Sequence, residues 1–388
     1  MIKRTWCVIA FAAAVPMLSA APGNLKLGMV EVHPYATIGV ASDNNIYLDP
    51  TDPKSAVVIT FTPGVRFAYP GKVVKASLDL NADVIGYSYN PSSNNALHQA
   101  ADLQVSVASP AGFRLSLVNR FKNTTDPAYS ELVERAKRMQ DDLAIEATYD
   151  IGGTFIAGAE AALGNYSYEK QSYQLMLGRM DLRYGLLAGY RLSGKTALTA
   201  GVSFGGIDYA EPANLRDSGY LLMQLKVTGM LTPKTQGILA VGQHARTYKD
   251  LSGKDFSAPV ISLQSATKFS DKTVLDLGIS RTVYESIFLN NSHYIALGLD
   301  AALRQTVDRL VIALKAGYQS DAYPEENTVG SVTAKRSDTI ITMGVGLRYA
   351  VLPWLGAELG YTMRNRDSNF NAYDYADTLI GLSVKAAY

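Results

Sequence analysis

Along most of the chain, apolar and polar residues alternate one by one. Between 74 and 84, Val74, Ala76, Leu78, Leu80, Ala82 and Val84 fall on one side of an extended chain, and Lys75, Ser77, Asp79, Asn81 and Asp83 on the other. A period of two belongs to β-strands, whose successive side chains point to opposite faces. Likewise, Leu143, Ile145, Ala147 and Tyr149 oppose Asp142, Glu146 and Thr148, and Arg179, Asp181 and Arg183 oppose Met180, Leu182 and Tyr184.

Two kinds of connection separate these segments. The short ones hold Gly, Pro or Asp where a reversal needs unusual dihedrals. They lie at 70–72, 109–112, 150–153, 193–195, 232–234, 270–272, 306–309 and 352–354, about forty residues apart. Longer polar connections fall near 45–55, 88–97, 122–138, 167–178, 209–217, 248–257, 285–293, 321–337 and 366–374. Such alternation is expected of an outer-membrane barrel with tight periplasmic turns and long extracellular loops. Eight short turns join sixteen strands in pairs, and one strand at either end makes eighteen, an even number that puts both termini in the periplasm. A soluble sandwich also alternates. Open sheets, however, rarely exceed about ten strands, and closure removes the exposed edges. The expected fold is all-β, a transmembrane antiparallel β-barrel of about 18 strands.

The N-terminus adds a destination. Lys3 and Arg4 precede an apolar run from Trp6 to Val15, followed by Ser19, Ala20 and Ala21. This pattern predicts a signal peptide over 1–21, a short periplasmic segment over 22–32, and the barrel over 33–388. With so few residues before His33, no plug domain is expected, which argues against an energised TonB-type transporter. Ile380, Leu382, Val384, Ala386 and Tyr388 share one face, like the C-terminal signal of outer-membrane barrels. Outer-membrane lipid and lipopolysaccharide are therefore the expected surroundings.

Composition narrows the chemistry. Without Lys3 and Arg4 the formal charge passes from +1 to −1, so nucleic acid is not an expected partner. The one cysteine, Cys7, lies in the leader, so the mature chain is expected to have no disulfide, thiolate metal site or cysteine nucleophile. Tyrosines gather near strand ends, including Tyr69, Tyr149, Tyr190, Tyr349 and Tyr388 beside short turns and Tyr87, Tyr168, Tyr209, Tyr248, Tyr294 and Tyr323 beside long loops. They suit two interfacial girdles, with some bracing loops over the barrel mouth.

Placing the polar strand faces inward predicts a pore lined by Arg66, Lys75, Asp79, Asp83, Arg114, Arg120, Asp142, Glu146, Arg179, Arg183, Lys226, Lys315, Arg348 and Glu358. Glu160, Asp276, Asp300, Arg364 and Lys385 share those faces. A barrel of this width leaves an aqueous channel, and its charge biases which solutes pass. Two readings stand: the slightly basic lining favours anionic solutes, or the charges form an ion-pair lattice that stiffens the wall. The 122–138 connection differs from the others. Thr125-Asp126-Pro127 can cap a short helix, and 129–138 is rich in helix formers. It is expected to fold inward as a constriction, stand outward as a lid, or form an ordinary surface helix.

Enzymatic chemistry is not expected. His33, His98, His244 and His293 fall in or beside four well-separated strands. No Ser-centred elbow, His-Glu-x-x-His run or Gly-rich phosphate loop appears, and no cofactor or metal is implied.

His33-Pro34-Tyr35 to Asp43-Asn44-Asn45-Ile46-Tyr47, Thr62-Pro63-Gly64, and Arg120-Phe121 through Thr125-Asp126-Pro127 to Arg138 carry a family likeness. On these segments and its overall layout, the chain resembles the putative β-barrel porin 2 family, outer-membrane barrels often encoded beside exopolysaccharide machinery. The resemblance implies a conduit for polysaccharide export with a periplasmic export partner; it implies no site residues. The residues themselves leave two further functions open: a diffusion porin for small solutes, and a structural or adhesive surface barrel.

Overall fold

A computed structural model describes residues 25–127, 131, 134–211, 214–251, 253–288 and 291–388. The expected leader over 1–21 lies outside the described residues. Strands in chain order are β1 Leu25–Leu27, β2 Val30–Asp43, β3 Ala56–Tyr69, β4 Val74–Tyr87, β5 Ala96–Ala108, β6 Phe113–Thr124, β7 Arg138–Ile151, β8 Phe155–Tyr168 and β9 Arg179–Ser193. They continue as β10 Thr196–Tyr209, β11 Ser218–Thr232, β12 Thr235–Tyr248, β13 Phe256–Lys268, β14 Thr273–Glu285, β15 His293–Val307, β16 Leu310–Val329, β17 Val332–Leu352, β18 Leu355–Ser368 and β19 Tyr375–Ala387. Two short helices, α1 Pro91–Asn94 and α2 Gln171–Leu177, lie in long loops.

Each strand from β2 to β19 pairs antiparallel with its sequence neighbours, and β19 returns to β2 in register from Leu379 opposite Asp43 to Ala387 opposite Tyr35. The sheet is thus a closed barrel of eighteen strands, and β1 merely hairpins onto the base of β2. All eight short turns fall where their Gly, Pro and Asp residues place them. Among the described residues no helix is long and apolar enough to cross a membrane; the strands do the crossing.

Closure decides which face is which. Lys226 on β11 lies 3.0 Å from Glu146 on β7, four strands away round the ring. Two such side chains meet only through the interior, so the polar faces point inward. The opposite faces expose large apolar side chains such as Leu186 at 72% and Ile38 at 60%, as hydrocarbon contact requires.

Four expectations need correction. The first barrel strand begins at Val30, not His33, because Val30–Val32 pairs with β1. Residues 321–337 form no loop: β16 and β17 run on, 20 and 21 residues long, into a hairpin turned at Gly330, where φ is +62°. Above the membrane both faces of that hairpin meet polar surroundings, so its sequence carries no alternation. The helix expected over 129–138 falls partly outside the described residues; 134–137 is not helical and β7 starts at Arg138. Finally, only the periplasmic tyrosines form an outward girdle, with Tyr149, Tyr190, Tyr349 and Tyr388 exposed. Tyr87, Tyr168, Tyr209, Tyr248, Tyr294 and Tyr323 are buried beneath the extracellular loops. Strand parity explains the difference: Tyr87, Tyr168, Tyr209 and Tyr248 end their strands, Tyr294 lies next to the start of its own and Tyr323 lies within β16, all on the lumenal face.

The wall is not uniform. Register between β13 and β14 begins only at Ile261 opposite Arg281. Pro259, just above, has no N–H for the ladder, and the Arg281 guanidinium donates to its carbonyl. Released from β13, the end of β14 brings Glu285 into the lumen, where Arg246 and Tyr209 donate to it.

Candidate functional site

The lumenal wall is built from side chains that reach over a neighbouring strand. Tyr35 on β2 lies across Gly64 on β3, and its hydroxyl donates to Asp79 on β4 at 2.7 Å. A Cβ at position 64 would stand 2.3 Å from Cζ of Tyr35, so only glycine admits the ring. The same device recurs higher up. Tyr220 on β11 crosses Gly205 on β10 and donates to Asp181 on β9 at 3.2 Å, and a Cβ on residue 205 would lie 2.1 Å from the Tyr220 ring.

Charged residues foreseen at the lumen are mostly tied to one another. Arg348 pairs with Glu358 at 2.7 Å, Lys226 with Glu146 at 3.0 Å, Arg120 with Asp102 at 2.9 Å, Arg114 with Asp150 at 3.1 Å and Arg183 with Glu160 at 3.5 Å. Asp83 accepts from Thr62 at 2.6 Å, Asp142 from Tyr166 at 2.9 Å, and Arg66 stands opposite Asp79. Arg179 donates to the Leu177 carbonyl at 3.1 Å with its guanidinium over the Tyr166 ring. Lys315 sits opposite Gly344, and Lys75 is exposed next to a periplasmic turn. Much of the slightly basic lining is therefore held in pairs with mixed sign. Which partners meet was not legible from spacing, because pairs such as Lys226 with Glu146 exist only once the ring has closed.

The extracellular mouth is a different environment. Glu131, from the loop between β6 and β7, is 4% exposed and accepts from Ser286 Oγ and Ile287 N, each at 2.7 Å. Those partners belong to the loop between β14 and β15, eight positions round an eighteen-strand ring. The two loops therefore meet over the mouth, where Ile287 also packs against the cluster of Tyr168, Tyr173 and Leu177, and together they form a constriction. Nearer its root, Arg135 donates to Tyr87, Arg138 donates to the Asp126 carbonyl, and Ala136 packs with Tyr168, Tyr173 and Leu177. Burial pushes the Glu131 carboxyl up to about 7, against the lowering effect of its two hydrogen bonds and of Arg336. The Arg336 guanidinium offsets little because it is engaged by Asp338 at 2.6 and 2.9 Å. Sequence reasoning singled out this loop but not Glu131, whose burial depends on a partner about 155 residues away.

Spacing also misses one meeting of histidines. His244 and His293, three strands apart, both contact the Phe256 ring, at centroid distances of 6.1 and 3.7 Å. Ser292 Oγ lies 3.1 Å from His293 Nδ1. No carboxylate is hydrogen-bonded to that imidazole among the described contacts, so the arrangement is not a Ser-His-acid triad.

A closed barrel of membrane-facing strands with a wet, charged interior defines an outer-membrane β-barrel porin. Over residues 21–388 the chain matches the family described as Putative beta-barrel porin 2, and it belongs to that family. No curated protein matches it. Among solved structures, it is similar to OccK2 (OpdF) of Pseudomonas aeruginosa in complex with glucuronate, at 10% identity and TM-score 0.50 over 92% of this chain and 98% of that one. It is also similar to OccAB3 of Acinetobacter baumannii, at 10% identity and TM-score 0.49 over 92% and 99% of the two chains. OpdK of Pseudomonas aeruginosa gives 11% identity and TM-score 0.49 over 94% and 100%. At such identities the likeness is one of fold.

Proposed function

We propose that the protein is a passive porin through which small hydrophilic solutes cross the outer membrane. The meeting of Glu131 with Ser286 and Ile287 over the mouth carries this reading, because loops joined there narrow the opening below the width of the barrel. Below it, paired charges of both signs keep the lumen wet and polar, which suits hydrated solutes. Export of a polysaccharide with a periplasmic partner, the function implied by the family resemblance, calls for one uninterrupted passage. The strapped mouth favours small solutes instead. An anion preference from the basic part of the lining belongs to the same proposal. Liposome swelling tests it: vesicles carrying the purified protein should swell in small sugars and sugar acids and not in oligosaccharides. Equal swelling in long oligosaccharides would restore the export reading.

A further inference from the structure

On the outer wall one cation faces lipid. Arg281 on β14 lies directly opposite Ile261 on β13 and Leu297 on β15. Those neighbours are 38% and 39% exposed on the hydrocarbon side, and residues opposite each other across a ladder project the same way. By strand parity every other arginine described on a barrel strand falls on a lumenal face. A charge on the lipid face is unfavourable unless something meets it. Among the described residues, the guanidinium meets the Pro259 carbonyl alone. That bond uses one of five N–H groups, and a neutral amide would serve it equally well, so the charge calls for an anion from outside the chain.

Below Arg281, an apolar groove of about 490 Å³ opens on the same outer face, across β14 to β17. Ala301 and Ala316, paired with each other, form its floor, and Ile279, Leu299, Tyr318 and Met343 form its walls. Two small side chains set side by side among large ones leave the hollow. Ile279 is two residues from Arg281, about 7 Å along the strand, so one molecule can fill the groove and reach the guanidinium. We propose that this face binds lipopolysaccharide through its lipid A portion, with a phosphate on Arg281 and an acyl chain laid over Ala301 and Ala316.

Position and chemistry agree on that occupant. Arg281 lies toward the end of β14 away from the short turn at 270–272, which puts it in the leaflet that faces outside, where lipopolysaccharide resides. Arginine presents two parallel N–H groups to a phosphate. Beside it Gln243, directly opposite Pro259, donates to the exposed Ser257 at 2.7 Å, which supplies neutral groups for sugar hydroxyls. The site is on the outside of the wall, so it stands whether or not the lumen passes small solutes.

Native mass spectrometry of the barrel purified in detergent, titrated with lipid A, tests the site. Wild type should hold one lipid A about tenfold more tightly than phosphatidylglycerol or lipid A stripped of its phosphates. Arg281→Gln, which keeps a donor for Pro259, should bind lipid A about tenfold more weakly. Ala316→Leu, which fills the groove and leaves the guanidinium and the ladder in place, should weaken it as well. Ala188→Leu makes the same change on the exposed face of β9 and should bind like wild type. Unchanged affinity in Arg281→Gln or in Ala316→Leu, equal binding of phosphatidylglycerol, or equal weakening in Ala188→Leu would overturn the proposal.

Discussion

Single residues hold this wall together where a side chain must bridge three strands. At positions 64 and 205 the ring of a tyrosine occupies the space where a Cβ would stand. Gly64→Ala should push Tyr35 off the wall and leave Asp79 without its hydroxyl partner. Overpacking of this kind costs roughly 1–3 kcal/mol, read as a lower midpoint when the folded barrel is unfolded by denaturant in micelles. Gly39, whose added Cβ would meet nothing closer than 3.6 Å, serves as the control and should tolerate alanine. Alternation is local, so the sequence alone separates a charged from an apolar face on strands such as β4 and β9. It was silent on the Tyr-Gly-Asp triplets, because their register across three strands is set by the assembled sheet.

Elements were legible to the extent that lipid imposes a pattern on them. Strands and short turns could be read because hydrocarbon on one side and water on the other force alternation, and tight reversals demand special residues. Above the membrane that pressure ends, so alternation reveals neither the β16–β17 hairpin nor the non-helical course of 134–137 in the β6–β7 loop. The latter gives a prediction at this scale. Seating Glu131 raises its carboxyl from its ordinary value near 4.5 to about 7, so the seated loop holds the proton more tightly than the free one. Its attachment is fully present below about 4.5 and is lost as the pH rises through about 7. Trypsin, which cuts after Arg135, Lys137 and Arg138, should therefore cleave the loop faster at pH 8 than at pH 6 relative to Glu131→Gln, run at each pH as reference. A constant ratio between the two proteins would show that Glu131 does not set the loop's hold.

For the whole molecule, the informative contact is the one between Lys226 and Glu146, which joins strands that are not neighbours. With side chains 26% and 43% exposed, the pair contributes little to stability, about 0–1 kcal/mol. It stands in the channel nonetheless. Replacing both by alanine should leave unfolding unchanged and raise single-channel conductance in planar bilayers; unchanged conductance would place the pair off the solute's path. The ring itself has a consequence for biogenesis. Because β19 is the piece that meets β2, no half of the chain possesses a finished wall, and every intermediate before that last join carries two margins of unsatisfied amides. Such margins cannot rest in hydrocarbon, so entry into the bilayer and the joining of first strand to last must proceed together, or under the care of something that shields both margins until they meet.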